Sequence, residues 1–149
     1  INELKGMYES ANKHLCELSI DSINQVSVKS VENKIHKIKI LKDKASGKFW
    51  MHKIRKHLKY VSEILEFLSS FIEENEFKDL IKKAKSCSKL IGEWHDYQVF
   101  LAAFIRFLTI KKINNKASRA IYKSIQIKIE ELMRDIDYHL DLMLDASNL

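Results

Sequence analysis

No proline occurs anywhere in this chain, and its 149 residues include only three glycines. Tight turns draw on those two residues for their special backbone angles, so a sandwich, a barrel or a Rossmann unit has too few of them here. The class that remains is all-α. With 46% apolar and 31% charged residues, the chain has material for a core. At this length a single domain spanning 1–149 buries roughly two thirds of the surface of its extended chain.

Helical periodicity divides the sequence into five segments. The first, near Glu3 to Ser19, places Leu4, Met7, Ala11, Leu15 and Leu18 on one face. Asp21, Ser22 and Asn24 interrupt the pattern, which resumes with Ser27 or Ser30 as cap and Val31, Ile35, Ile38 and Leu41 as stripe, up to about Ala45. Ser46-Gly47 is the best turn signal. The third segment, Lys48 to Glu74, is the clearest: Ile54, Leu58, Val61, Leu65, Leu68 and Ile72 alternate spacings of four and three. A fourth runs from Phe77 to Leu108, with Gly92 inside it at a cost of ~1 kcal/mol relative to alanine, which a close helix contact or a bend would explain. After a polar turn from Lys111 to Ala117, a fifth carries Ile121, Ile125, Ile129, Leu132, Ile136, Leu140 and Met143. Long helices with short connections predict an antiparallel bundle whose main body is the last three. Trp94, Phe100, Phe104 and Phe107 recur at helical spacing and read as core rather than as a platform for nucleobases.

The 26 Lys and Arg exceed the 20 Asp and Glu by six, a balance that favours anionic partners. The charges are also segregated. Lys42 to Lys59 holds seven bases against Asp43 alone; Lys82 to Lys89 holds four and Lys111 to Lys128 six, both without an acid. Glu63 to Asp79 and Glu130 to Asp145 hold six acids each against one base. A reversal near Asn75 sets Arg55 level with Trp94 to Asp96 and Lys59 level with Lys89; a second near Ile113 carries Arg119 to the same basic end. His52, Arg55, Lys56 and Lys59 stand at i, i+3, i+4 and i+7 on one side of the third helix. Such a stack repels itself unless an anion receives it. Glu66 and Asp96 supply two carboxylates, with Asp96 read as a buried-edge group that orients Arg55 or His52, and two do not balance the cluster.

Catalytic signatures are missing from the sequence: no phosphate loop, no HExxH, no glycine-rich fingerprint and no nucleophile elbow. His52 and His57, five apart, share no face, and no second ligand pair accompanies His95-Asp96, so no metal site is expected. The reading is a binding protein, not an enzyme, with no cofactor implied. Cys16 and Cys87 lack any metal spacing; they point to a reducing compartment, the cytoplasm, although two cysteines also suffice for one disulfide. The longest apolar run, Val99 to Ile105, has seven residues, against the roughly 20 that a membrane span requires.

The stretch from His52 through Arg55, Lys59, Glu66 and Phe67, followed by Leu90, Gly92, Glu93, His95 and Asp96, resembles the CHAD family, the helical domain named for its histidines. Ser62 stands where the family pattern has a second arginine, and Glu63 where it has a tyrosine. The resemblance spans about 29–149 and covers one of the family's two helical halves, the second, so a further half or a fused domain is an expected neighbour. It implies binding of inorganic polyphosphate or a similar phosphorylated polyanion by His52, Arg55, Lys56, Lys59, Lys89 and Arg119, with Glu66 and Asp96 as orienting carboxylates. His52 would donate to a phosphate oxygen and bind better when protonated. Net charge alone equally suits a nucleic-acid binder, and a structural or protein-binding bundle without a ligand is the third reading.

Overall fold

The computed structural model describes residues 20–44, 49–70 and 75–146. They form four helices and, among the described residues, no strand: α1 (Ile20–Asp43), α2 (Phe49–Ser69), α3 (Asn75–Lys111) and α4 (Lys116–Ala146). The expected segment from Glu3 to Ser19, the Ser46-Gly47 turn, Ile72 and Cys16 lie outside the described residues. The chain is already helical at Ile20, so Ser22 and Asn24 do not break α1. Short polar residues cost a helix only a few tenths of a kcal/mol, and packing overrides that. Ser30 caps nothing; its hydroxyl is 2.9 Å from that of Tyr60 on α2.

Helix α2 stops at Ser69 rather than reaching Glu74. The Ser69 and Ser70 hydroxyls donate to the carbonyls of Glu66 and Phe67, and the Ser70 N–H donates to the Phe67 carbonyl at 3.2 Å. These three-residue bonds tighten the last turn into 3₁₀ geometry and consume the carbonyls that a continuing helix would use. The turn between α3 and α4 is a Schellman motif. Lys112 sits at φ 50°; its N–H donates to the Thr109 carbonyl and that of Ile113 to the Leu108 carbonyl. Asn115 then caps α4: its side-chain oxygen accepts from the Ser118 N–H at 2.8 Å, and Ser118 Oγ accepts from the Asn115 N–H at 3.2 Å.

Each helix packs on the next in chain order, and an ion pair from Lys42 to Asp141 ties α1 to α4. The core joins Ile38 of α1, Met51, Ile54, Leu58, Val61, Leu65 and Leu68 of α2, Ala84, Cys87 and Ile91 of α3, and Leu132, Ile136, Leu140 and Met143 of α4. Leu90 is only partly buried against this seam.

The lengths of the helices decide what lies above this core. Helix α3 has 37 residues and α2 has 21. The Arg55 guanidinium lies against Gly92, so the start of α2 at Phe49, six residues before Arg55, comes level with Gln98. Beyond that level, among the described residues, α3 and α4 continue as a pair. The last buried side chain of α3 is Trp94, and Ile125 is the first buried aliphatic one of α4. Phe100 and Phe107 are therefore half exposed, at 53% and 50%. They are not the core residues that their spacing predicts, because among the described residues α2 has ended and no other helix lies over them.

Candidate functional site

Gly92 locates the site. An alanine Cβ there would lie 3.0 Å from Arg55 Nη2 and 3.3 Å from Arg55 Cζ. The absence of a side chain lets the guanidinium rest on the α3 backbone. Helix α3 runs through this point unbroken from Asn75 to Lys111, and the close approach of Arg55 accounts for the glycine. Arg55 is half-buried, and its Nε is fully buried without a hydrogen-bond partner. The guanidinium makes no hydrogen bond or ion pair with any described residue.

Beside this contact is a cavity of about 470 Å³, with Ile91, Trp94, Val99 and Ala102 as apolar walls and His52, Arg55, His95 and Gln98 as its polar groups. It lies where α2 begins and α3 passes beyond it. Trp94 is 6% exposed, and its indole Nε1 is a second buried donor without a partner. Gln98, Val99 and Ala102 were not legible as site residues. Their signal was the recurrence of Ile91, Trp94, His95, Gln98 and Ala102 at spacings of three and four, which marks one α3 face without saying that α2 ends beneath it.

The expected site residues separate into groups. His52 is exposed and lines the cavity with Arg55. Lys59 follows Arg55 by four residues, and Lys89 precedes Gly92 by three. Both are exposed, on the stretch of the α2–α3 edge between the Arg55–Gly92 contact and an ion pair from Lys85 to Glu66. Lys89 lies 3.9 Å from Glu93 on its own helix. Lys56 is exposed, one residue round the helix from Arg55.

The two carboxylates have other positions than expected. Glu66 receives Lys85. Asp96 is no buried-edge group: its side chain is 85% exposed and lies 3.5 Å from His95 Nδ1, since α3 turns it outward. Arg119 does not join the Arg55 edge. It stands in the first turn of α4, next to the end of α3, and the 19 residues from Gly92 to Lys111 extend about 28 Å at 1.5 Å per residue. The shared basic end fails because α3 outruns α2. Ser62, at the pattern's second arginine position, is buried and donates to the Lys59 carbonyl at 2.9 Å.

Elsewhere, burial pushes the Cys87 thiol up to about 12, Asp137 adding to the effect and Lys42 opposing it; such a thiol is inert. Burial, then the charges of Lys34 and Lys37, hold His57 below its ordinary value. Among the described residues, no three His, Cys, Asp or Glu converge as a metal site, and no helix is long and apolar enough to cross a membrane. Comparison with protein-family models, curated proteins and solved structures finds no match for this chain.

Proposed function

We propose that this chain binds inorganic polyphosphate or a similar phosphorylated polyanion along the α2–α3 edge, through Arg55 with His52, Lys56, Lys59 and Lys89. The observation that carries the reading is the state of Arg55. Its guanidinium is half-buried, seated on Gly92 and without a carboxylate among the described residues, while Glu66 is engaged by Lys85 and Asp96 adjoins His95. A partly desolvated cation with no internal counter-ion is stabilised by an external one. Phosphate oxygens match its planar fork, and a linear polyanion extends to the flanking lysines. The resemblance of the His52 to Phe67 and Leu90 to Asp96 segments to the CHAD family points to the same ligand class.

Titration calorimetry with polyphosphate of defined length tests this. Arg55→Ala should weaken binding by about 1.5–3 kcal/mol, the range for a hydrogen bond to a charged group. Arg55→Lys should restore only part, because the fork is lost. Affinity should fall as salt rises. A folded Arg55→Ala variant that binds as tightly as the parent refutes the site. Complete displacement of polyphosphate by equimolar RNA or DNA would instead favour a nucleic-acid ligand.

A further inference from the structure

Past the level where α2 begins, α3 carries two apolar faces. Leu101, Phe104 and Leu108, at spacings of three and four, are partly buried on the side packed against α4. Phe100, Ala103, Phe107 and Ile110 recur at spacings of three, four and three and are all exposed, Ile110 at 66%. With 3.6 residues per turn, Ala103 and Ile110 point away from the α4 seam, and the outer stripe is about 15 Å long. Exposed apolar side chains scattered singly are ordinary, whereas a contiguous row marks an interaction surface. The charge around this row is one-sided. From Tyr97 to Ile129 the chain holds seven bases and no acid. Arg106 borders the stripe on one side and Lys111 on the other. Of the seven bases, Lys128 has an ion pair, with Glu131, and the others have none with any described residue.

From this we infer that the outer stripe of α3 seats the chain on an anionic lipid surface, with Phe100, Phe107 and Ile110 entering the apolar layer and Arg106 and Lys111 held among the headgroup phosphates. Charge and shape together select this partner. A second copy of the chain would bring the same acid-free row against it and set base against base. A nucleic acid would answer the bases, but Ala103 and Ile110 give a nucleobase no ring to stack on. A protein partner would need a groove for this convex edge and carboxylates along the rim of that groove. An anionic bilayer supplies both at once. Its phosphates lie at the surface and its hydrocarbon just beneath, in the order in which α3 presents cations at the borders and rings at the crest. Among the described residues no helix is long and apolar enough to cross a membrane, so α3 lies on the surface. The inference uses no residue of the α2–α3 edge and does not depend on the polyanion reading.

Co-sedimentation of the full chain with vesicles of phosphatidylcholine alone, and of phosphatidylcholine mixed with phosphatidylserine, tests the proposal. The parent should bind the mixed vesicles at least tenfold more tightly than the neutral ones, and added salt should narrow the difference. Phe107→Ser combined with Ile110→Ser replaces two exposed side chains and leaves the core untouched; circular dichroism checks folding, and Ile110→Ser alone serves if the pair does not fold. The serine variant should lose most of the binding to mixed vesicles while its polyphosphate affinity stays within twofold. Phe107→Trp should bind at least as well as the parent, since an indole suits the membrane interface. Arg55→Ala should leave vesicle binding within twofold, so the two sites fail separately. Equal binding to neutral and mixed vesicles, undiminished binding by a folded serine variant, or no vesicle binding overturns this inference and leaves the polyanion reading standing. Absence of vesicle binding together with a dimer that the serine variant abolishes assigns the stripe to a second copy instead; absence together with weakened single-stranded RNA binding in that variant assigns it to nucleic acid.

Discussion

Replacing Gly92 by alanine should raise the stability of this protein and lower its affinity for anions. An interior helical glycine costs about 0.5–1 kcal/mol relative to alanine through the extra freedom of the unfolded chain. Against that gain stands one contact, because the new Cβ would meet Arg55 Nη2 at 3.0 Å, Cζ at 3.3 Å and Nη1 at 3.6 Å. The first distance is tighter than van der Waals contact allows, and the guanidinium must retreat by a few tenths of an ångström. It is the end of a flexible side chain, and no hydrogen bond to a described residue holds it. Its retreat forfeits a handful of dispersion contacts worth ~0.1–0.2 kcal/mol each. The helix therefore wins, by up to about 0.5 kcal/mol, which moves the melting temperature up by about 1–2 °C in a chain of this size. The displaced fork no longer presents its nitrogens along the α2–α3 edge, so polyphosphate affinity should fall by part of the Arg55→Ala loss. Thermal melts followed by circular dichroism, with calorimetry on the same preparations, read both. A fall of several degrees in Gly92→Ala would refute the account of a yielding guanidinium. Higher stability with unchanged affinity would refute the role of its position in binding.

Leu58→Ala empties a fully buried site in α2 and should cost ~2–5 kcal/mol, whereas Lys56→Ala on the exposed side should stay within about 0.5 kcal/mol; urea midpoints in the reverse order would reject the facing of α2. Lys112 holds a left-handed conformation at φ 50°, so Lys112→Gly should stabilise the turn by roughly 1 kcal/mol, and a lower melting temperature would count against the Schellman cap. Folding holds His57 below its ordinary value of 6.5 through burial and then Lys34 and Lys37, so the unfolded chain takes up that proton first. The stability this confers is complete above pH 6.5 and is lost as pH falls through the lowered folded value. His57→Gln should flatten the decline of the denaturation midpoint on acidification, and an unchanged slope would exclude His57 as its source.

What the sequence determined by itself is local in origin. The want of proline and glycine restricted the chain to helices, and spacings of three and four put Ile54, Leu58, Val61 and Leu65 of α2 and Ile125 to Ile136 of α4 on buried faces. Those inferences depend only on 3.6 residues per turn, which every residue of a helix obeys. The antiparallel return of α3 along α2 was legible to within a few residues: Arg55 was expected beside Trp94 to Asp96 and lies against Gly92. Where helices end was less legible, because the Ser69 and Ser70 hydroxyls compete for carbonyls by geometry that periodicity does not encode. Tertiary structure alone decided the site. The difference in length between α2 and α3 opens the cavity, leaves Phe100 and Phe107 half exposed and carries Arg119 away from Arg55. Which cation meets Glu66 was equally beyond the sequence, since Glu66 stands at suitable intervals for several partners and only the packed register of α2 and α3 selects Lys85. A helical pattern fixes the direction of a side chain about its own axis; what it meets there depends on where the neighbouring helix stops.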